Sequence, residues 1–158
     1  AVTEKAIGGQ HAGARSADLA DGRKLRPFDA ATLGSKKYLA IYFSASWCPP
    51  CRAFTPELVS WYKRKKSARD VVDVILVPND KSEEDMIAYM KDYKMDWPAL
   101  DFETSQRRSP LSKYGGKGIP CLVIIDGDGK VLSHSYVDGQ FVGPSKVLDD
   151  LDKLIKGS

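Results

Sequence analysis

Three largely apolar runs of strand length divide the chain. They lie at residues 38–43, 71–77 and 121–125. The third is followed by Asp126–Gly129, whose composition is typical of a hairpin turn into Val131–Leu132. Runs without regular polar alternation are typical of strands buried on both faces of a sheet. The pattern therefore predicts a sheet covered by helices, with an antiparallel hairpin near the C-terminal end.

Apolar residues at helical spacing fill the intervals between these runs. They predict one helix over about residues 49–66 and a second after the N-cap residue Ser82. A short helix is predicted to begin at Pro110, and a C-terminal helix at Pro144. Alternating strands and helices predict a three-layer α/β/α domain around a central mixed sheet.

Length and composition restrict the class of protein. The chain has 158 residues, 42% of them hydrophobic, and a net charge of +3. One globular domain with an ordinary core is predicted, expected to be a monomer, and the charge gives no argument for nucleic-acid binding. No apolar run approaches the ~18 residues that a membrane span needs. Residues 1–22, poor in large apolar side chains, are predicted to form a loose arm before a domain of residues 23–158.

The first residue is Ala1 rather than Met. A removed signal segment leaves such an end, as does a trimmed chain. We therefore favour an extracytoplasmic location, periplasmic or secreted, over a cytoplasmic one.

The segment Ser46–Arg52, with the sequence SWCPPCR, joins the first apolar run to the first predicted helix. Cys48 would lie where helix N–H groups have no intrahelical partner, and these donors stabilise a thiolate more than a thiol. Cys48 is therefore predicted to be the nucleophile, and the more enclosed Cys51 to attack the resulting mixed disulfide. Pro49 and Pro50 fix φ and are expected to stiffen the ring between the two sulfurs.

A structural disulfide and half of a zinc site are the alternatives for this cysteine pair. Zinc needs about four ligands, commonly from two such pairs, and no second pair exists here. The two histidines are His11, in the arm, and His134, on a predicted strand with an expected solvated side chain. A CxxC within a βα unit favours redox chemistry.

The sequence WCPPCR after a buried strand resembles the thioredoxin superfamily. Pro56 matches the family's helix-kinking proline, and Gly118–Pro120 resembles its loop with a cis-proline that faces the active site. Over about residues 36–134 the chain is most similar to tryparedoxins and nucleoredoxins. That similarity rests on YFSASWCPPCR (42–52), FTPEL (54–58), NDKSEE (79–84) and DWPALDF (96–102).

The resemblance implies a thioredoxin-like fold with Cys48 as nucleophile. It also implies that Trp47 shapes the surface beside the disulfide, and that Ile119 offers its backbone to an extended substrate next to a cis Pro120. Trp97 is expected to line the rim of the site, with a simple core aromatic residue as the equally weighted alternative.

The sequence departs from the family pattern at two positions near the site. Many thioredoxins bury an Asp six residues before the first cysteine, where this chain has Tyr42, so we name no general base. Cys121 follows Pro120, where relatives commonly carry Thr. It is either a third redox thiol, a soft metal ligand or, as we prefer, a small buried hydrophobe. The glycine-rich segment 115–118 is expected to be more mobile than in relatives.

The leading hypothesis is a thiol–disulfide oxidoreductase that reduces protein disulfides through a Cys48/Cys51 dithiol–disulfide cycle. No cofactor is expected beyond this disulfide, and the electrons are expected from a separate reductase or a small thiol. Three alternatives stay open. They are an extracytoplasmic reductant for apocytochrome or metal-site assembly, a Cu(I) or zinc module using Cys48, Cys51 and Cys121, and a non-catalytic partner-binding module.

Overall fold

The computed structural model describes residues 15–17, 25–27, 36–106 and 110–157. Near its beginning, β1 (Arg15–Ala17) and β2 (Leu25–Pro27) pair as antiparallel strands. Strand β1 falls within the segment predicted as a loose arm. The rest of that segment and its boundary at residue 23 lie outside the described residues, so the division into arm and domain stays a prediction.

A mixed four-stranded sheet positions the candidate site. Its strands are β3 (Tyr38–Ser44), β4 (Val72–Pro78), β5 (Cys121–Ile125) and β6 (Val131–His134). They lie in the order β4-β3-β5-β6. Strands β3 and β4 are parallel, whereas β5 is antiparallel to both β3 and β6. The three apolar runs and the hairpin after the third are confirmed as strands.

Each predicted helix is found in the predicted order, although the one that begins at Pro110 is a 3-10 turn, and the helix at Phe102–Gln106 was not predicted. They are α1 (Pro49–Arg64), α2 (Glu83–Asp92), α3 (Phe102–Gln106) and α4 (Pro144–Lys156), with 3-10 turns at Lys66–Asp70 and Pro110–Tyr114. A small hairpin of β7 (Tyr136–Val137) and β8 (Gln140–Phe141) precedes α4. As predicted, Ser82 caps α2, because its hydroxyl accepts a hydrogen bond from Asp85 N at 3.1 Å. Among the described helices, none combines the length and apolarity that crossing a membrane requires.

Alternation along β3 divides the core between two faces of the sheet. Tyr38, Ala40 and Tyr42 belong to the face covered by α1, α2 and α4, here called the helix face. Leu39, Ile41 and Phe43 belong to the opposite face, here called the loop face, which is covered by Leu100, Leu111 and Tyr114. Full burial of one such aliphatic side chain contributes roughly 1.5–3 kcal/mol. Both faces of the sheet are therefore shielded from solvent, as the apolar runs predicted. Strand β3 ends at the candidate site.

Candidate active site

Cys48 caps helix α1 with its own sulfur. Its backbone is extended, with φ −95° and ψ 112°, and its Sγ accepts a hydrogen bond from Cys51 N at 3.3 Å. Pro49 and Pro50 occupy the first helical positions, where a missing N–H costs nothing because no intrahelical acceptor exists there. The sulfur thus faces the positive end of the helix, an environment that favours a negative charge on it.

Cys51 lies one turn further along α1 and is fully buried. Its side chain is 0% exposed, against 5% for Cys48, which agrees with the predicted order of attack. Burial, and after it the hydrogen bond with Cys48, raises the pKa of the Cys51 thiol to about 12. The Ala45 backbone and the Ser44 hydroxyl act in the opposite direction. In this dithiol state Cys51 therefore keeps its proton.

The loop before β5 faces the Cys48 sulfur. The Ile119–Pro120 peptide bond is cis, and the Cys48 thiol donates to the Ile119 carbonyl oxygen at 3.7 Å. Pro120 is buried, whereas Ile119 is partly exposed and its backbone lies beside the reactive sulfur. Only the family resemblance predicted that Ile119 and Pro120 lie beside Cys48. The structure shows the contact between Cys48 and the Ile119 carbonyl group.

A shallow cleft lies beside the two residues that flank the Cys48 sulfur, Trp47 and Ile119. It has a volume of about 230 Å³ and is lined by Phe43, Trp47, Asn79, Ile119 and the segment 115–118. The Trp47 side chain is 51% exposed and its indole Nε1 donates to Asn79 O at 2.9 Å, which holds the ring at the cleft wall. The predicted role of Trp47 in shaping this surface is compatible with that position.

Close packing explains the glycine-rich segment of the cleft. A Cβ on Gly116 would overlap the Tyr136 ring, and one on Gly118 would lie 2.9 Å from the Tyr136 hydroxyl oxygen. Glycine at both positions lets the segment lie flat against Tyr136. The greater mobility expected of this segment stays a prediction.

Asp80 is a residue of the site that sequence analysis missed. Its Oδ2 accepts hydrogen bonds from Ser46 N at 3.0 Å and Ser46 Oγ at 2.5 Å, while burial raises the pKa of the carboxyl group. A usable signal existed: Asp80 follows β4, and parallel strands β3 and β4 bring their carboxyl ends to one edge of the sheet. The carboxylate therefore anchors the turn that carries Cys48.

Tyr42 occupies the position where many thioredoxins bury an Asp. Its hydroxyl hydrogen-bonds Thr55 Oγ1 at 2.7 Å, and burial raises the pKa of this phenol. Thr55 Oγ1 lies 2.7 Å from the Tyr89 hydroxyl, which lies 2.7 Å from Ser44 Oγ. A buried row of hydroxyl groups, rather than a carboxylate, thus lies on the helix face beside Cys51.

The rim position predicted for Trp97 is wrong, and the equally weighted alternative of a core aromatic residue is the one observed. Trp97 is 0% exposed and packs edge-on against Tyr62 in the core, with ring centroids 5.3 Å apart. Burial of Trp97 is favourable because its large apolar surface fills the space under α1. The His134 side chain is not simply solvated, since its Nε2 lies 2.7 Å from Tyr114 O and its Nδ1 accepts from Tyr136 N at 2.9 Å.

Cys121 lies on the loop face, opposite Phe43 in the strand register. The side chain is 0% exposed, and burial is the largest cause of its raised pKa. These features match the preferred interpretation of a small buried hydrophobe. Over residues 36–106 and 110–157, no group of three or more His, Cys, Asp or Glu side chains gathers as a metal site would require.

Comparison with known proteins defines the family. A thioredoxin-like family model matches residues 35–131, more than half of the sequence, and the chain belongs to the thioredoxin-like family. Nucleoredoxin from Xenopus laevis is 40% identical over 116 residues, which are 73% of this chain and 26% of that protein. Tryparedoxin from Trypanosoma brucei brucei is 42% identical over 93 residues, 58% of this chain and 62% of that protein. The chain spans about a quarter of the length of the nucleoredoxins it matches.

Solved structures confirm the fold. Tryparedoxin II from C. fasciculata has a TM-score of 0.61 at 32% identity, with 77% of this chain and 74% of that chain covered. Thioredoxin from Wuchereria bancrofti has a TM-score of 0.65 at 31% identity, with coverages of 94% and 98%. Tryparedoxin II has also been solved in complex with glutathionylspermidine, with a TM-score of 0.60 at 31% identity over 78% of this chain and 81% of that one. The predicted thioredoxin-like fold and the resemblance to tryparedoxins and nucleoredoxins are confirmed.

Proposed function

We propose that this chain is a thiol–disulfide oxidoreductase that reduces disulfides of protein substrates. The observation that carries the proposal is the position of the Cys48 sulfur. It caps α1, faces the Ile119 carbonyl group, and has the Cys51 thiol one helical turn behind it. The family relationship to tryparedoxins and nucleoredoxins supports the same chemistry.

The first step is attack by the Cys48 thiolate on a substrate disulfide. A bond forms between Cys48 Sγ and one substrate sulfur, the substrate S–S bond breaks, and the departing substrate thiolate takes a proton from solvent. The N–H groups at the start of α1 favour the attacking thiolate. An extended substrate segment beside the Ile119 backbone would place its sulfur against Cys48, with the exposed Trp47 ring as a wall.

The second step is attack by Cys51 on Cys48 within the mixed disulfide. Burial is the largest cause of the raised Cys51 pKa in the dithiol, and the hydrogen bond with Cys48 and the charge on Cys48 add to it. The two causes that involve Cys48 disappear once Cys48 is bonded to substrate, so the Cys51 pKa falls towards the value set by burial. The Cys48–Cys51 bond forms, the bond to substrate breaks, and the second substrate sulfur leaves and is protonated.

A two-electron thiol donor must then reduce the Cys48–Cys51 disulfide. We propose a separate reductase or a low-molecular-weight thiol as this donor. The complex of tryparedoxin II with glutathionylspermidine supports a small thiol conjugate as the chemical class. Dithiol proteins of this kind span about −270 to −120 mV, so the measured Cys48–Cys51 potential tests the proposed reductive direction.

Catalysed reduction of insulin by dithiothreitol tests the activity. The unsubstituted protein is expected to accelerate precipitation of the insulin chains, and Cys48→Ser to abolish the acceleration. Cys51→Ser is expected to accumulate a covalent mixed disulfide, visible on a non-reducing gel and released by reductant. Full activity of Cys48→Ser would contradict the mechanism, and so would a Cys51→Ser protein that traps no substrate.

A further inference from the structure

The glycine-rich segment 115–118 borders two open depressions of the surface. One is the cleft beside Trp47 and Ile119, and the other, of about 450 Å³, lies on the side of His134 and Tyr136. Three of the four residues in the segment are glycines, which have no side chain to bury and accept a wide range of backbone angles. The position of the segment, and of Ile119 after it, therefore depends on specific contacts rather than on burial of its own side chains.

The His134 side chain joins the residue before this segment to the residue that packs on it. Its Nε2 lies 2.7 Å from the carbonyl oxygen of Tyr114, and its Nδ1 lies 2.9 Å from the backbone N of Tyr136. A carbonyl oxygen only accepts and a backbone N–H only donates, so Nε2 carries the hydrogen and Nδ1 the lone pair. One neutral tautomer therefore satisfies both hydrogen bonds, and both ring nitrogens are held.

The Tyr136 ring covers the middle of the segment. A Cβ on Gly116 would overlap this ring, and a Cβ on Gly118 would lie 2.9 Å from the Tyr136 hydroxyl oxygen. Phe141, from the small hairpin before α4, packs against the same ring with the two centroids 5.2 Å apart. The segment is therefore fixed at two places, by the hydrogen bond to the Tyr114 carbonyl group at its start and by the Tyr136 ring along its middle.

The sheet provides the base for these contacts. His134 is the last residue of β6 and lies opposite Val123 in β5, the strand that begins directly after Pro120. The chain is thus attached to the same pair of strands before the segment and after it. Ile119, which lies between the two attachments, has its carbonyl oxygen 3.7 Å from the Cys48 sulfur.

We propose that His134 and Tyr136 are positioning residues, which hold the segment 115–118 so that the Ile119 backbone is ready to pair with an extended protein substrate. The inference rests on the proposed function and deepens it, because it concerns the preference for protein disulfides over small ones. A small disulfide needs only access to the Cys48 sulfur, whereas a polypeptide also binds the Ile119 backbone. A segment without these contacts would have to be ordered at each binding event, which weakens binding.

The first test compares a protein substrate with a small one. His134→Ala removes both hydrogen bonds of the ring, and the KM for insulin is expected to rise about three- to tenfold with kcat unchanged, the factor that loss of an ordinary hydrogen bond produces. The small substrate is dithiobis(nitrobenzoate), an aromatic disulfide whose released thiolate is coloured. The rate of its reaction with Cys48 should be almost unchanged.

Conservative replacements of His134 separate its two hydrogen bonds. His134→Gln keeps a donor near the position of Nε2, and His134→Asn keeps an acceptor near the position of Nδ1. Each of these variants should therefore raise the KM for insulin by less than His134→Ala does. Ser133→Ala is the matched control, because it removes a side-chain hydrogen bond, to Asp150, from the neighbouring position of β6. This control should leave the KM unchanged.

A second pair of variants tests the Tyr136 ring. Tyr136→Leu removes the flat ring that covers Gly116 and should raise the KM for insulin as His134→Ala does. Tyr136→Phe keeps the ring and should leave the KM unchanged. This pair also carries the test if the His134→Ala protein does not fold, which urea titration of each variant would show.

NMR gives a readout of positioning that does not depend on turnover. In the unsubstituted protein, the ring nitrogen chemical shifts of His134 are expected to show the hydrogen on Nε2. In His134→Ala, the backbone order parameters of residues 116–118 should fall while those of β5 stay unchanged.

An unchanged KM for insulin in folded His134→Ala and Tyr136→Leu proteins would overturn the inference. Equal losses towards insulin and dithiobis(nitrobenzoate) would also overturn it, because they would place the effect at the Cys48 sulfur itself. An unsubstituted protein that reacts with neither disulfide would instead contradict the proposed function.

Discussion

The two faces of the central sheet each bury one cysteine near the same edge, and the two differ in their surroundings. Cys51, on the helix face, lies against the Cys48 sulfur, and its carbonyl oxygen accepts a hydrogen bond from the buried Thr55 hydroxyl. Cys121, on the loop face, packs among apolar side chains, and its hydroxyl neighbour Ser135 is already bonded to both backbone groups of Leu122. Burial raises the pKa of both thiols. Burial alone therefore does not make a reactive cysteine, and what distinguishes Cys51 is the second sulfur beside it.

The largest expected difference between the two faces is in turnover. Cys51→Ala should abolish insulin reduction, because no thiol remains to resolve the mixed disulfide. Cys121→Ala should leave turnover unchanged and lower the free energy of unfolding by about 1 kcal/mol, the cost of a small cavity. Parallel turnover assays and urea titrations measure both effects. A Cys121→Ala protein that folds normally but reduces insulin much more slowly would make Cys121 a third redox thiol.

The next largest effect should come from the carboxylate that anchors the active-site turn. Asp80→Ala removes the acceptor of both Ser46 hydrogen bonds, each worth about 1.5–3 kcal/mol to a charged group, while the relief of a buried charge offsets part of this loss. We expect a net loss of about 1–3 kcal/mol and slower attack by Cys48.

The isosteric Asp80→Asn is the matched control. Because its amide oxygen can still accept from Ser46 N, it should lose less stability and less activity than Asp80→Ala. Equal effects of the two substitutions on Cys48 attack would show that these hydrogen bonds do not position the turn.

A smaller effect, far from the redox chemistry, concerns Asp73. Alternation with Ile75 and Val77 places Asp73 on the loop face, and burial raises the pKa of its carboxyl group to about 6. The folded state then binds more protons than the unfolded state between about pH 4 and pH 6, so stability should fall as pH rises through that window. Asp73→Asn should remove this dependence and stabilise the protein by about 1–2 kcal/mol at neutral pH.

Urea midpoints measured across that pH window give the test for Asp73. Asp150→Asn is a useful contrast, because hydrogen bonding with Lys146 lowers the pKa of Asp150. The Asp150 carboxyl group therefore stabilises the folded state above its unfolded pKa, and this contribution is lost as pH falls. An Asp73→Asn protein with an unaltered pH profile would contradict the assignment.

The smallest predicted effect lies at the cleft wall. Trp47→Phe keeps an aromatic surface but loses the hydrogen bond from the indole to Asn79 O. One exposed hydrogen bond is worth about 0.5 kcal/mol at the lower limit, so the KM for insulin should rise about twofold with kcat unchanged. Steady-state kinetics over a range of insulin concentrations separate the two constants, and a fall in kcat alone would assign Trp47 to the chemistry instead.

Most of the fold could be predicted because local pattern and burial agree. Apart from Asp73, the runs that became β3, β4 and β5 are apolar. Ser82 is a good N-cap residue, and α2 begins directly after it. The cysteine pair could be predicted for the same reason, since strand, cap position and spacing all occur within one short segment. The antiparallel pairing of β5 with β3 depends on long-range register, which no local pattern specifies.

Residues brought to the site from distant parts of the chain were harder to predict. From the sequence, Trp97 is equally suited to the rim of the active site and to the core. The core position follows from the space beneath α1, which becomes visible only in the folded structure. Asp80 and Tyr89 reach the cysteine pair because β4 runs parallel to β3 and α2 packs on the helix face. Their polar atoms meet partners more than thirty residues away in sequence, at Ser46 and Thr55. Such contacts become visible only once the tertiary arrangement is known.

The use of the Cys48 sulfur as the cap of α1 joins the energetics of electrons to those of folding. A thiolate is a stronger acceptor for the Cys51 N–H than a sulfur held in a disulfide, so the reduced protein has the better-capped helix. Caps are worth about 0.5–2 kcal/mol, and in a two-electron couple 1.4 kcal/mol corresponds to about 30 mV. The free energy of capping α1 therefore contributes both to the stability of this helix and to the redox potential of the Cys48–Cys51 pair. A calorimeter comparing the unfolding of the oxidised and reduced forms would measure a contribution to the redox potential without any electrode.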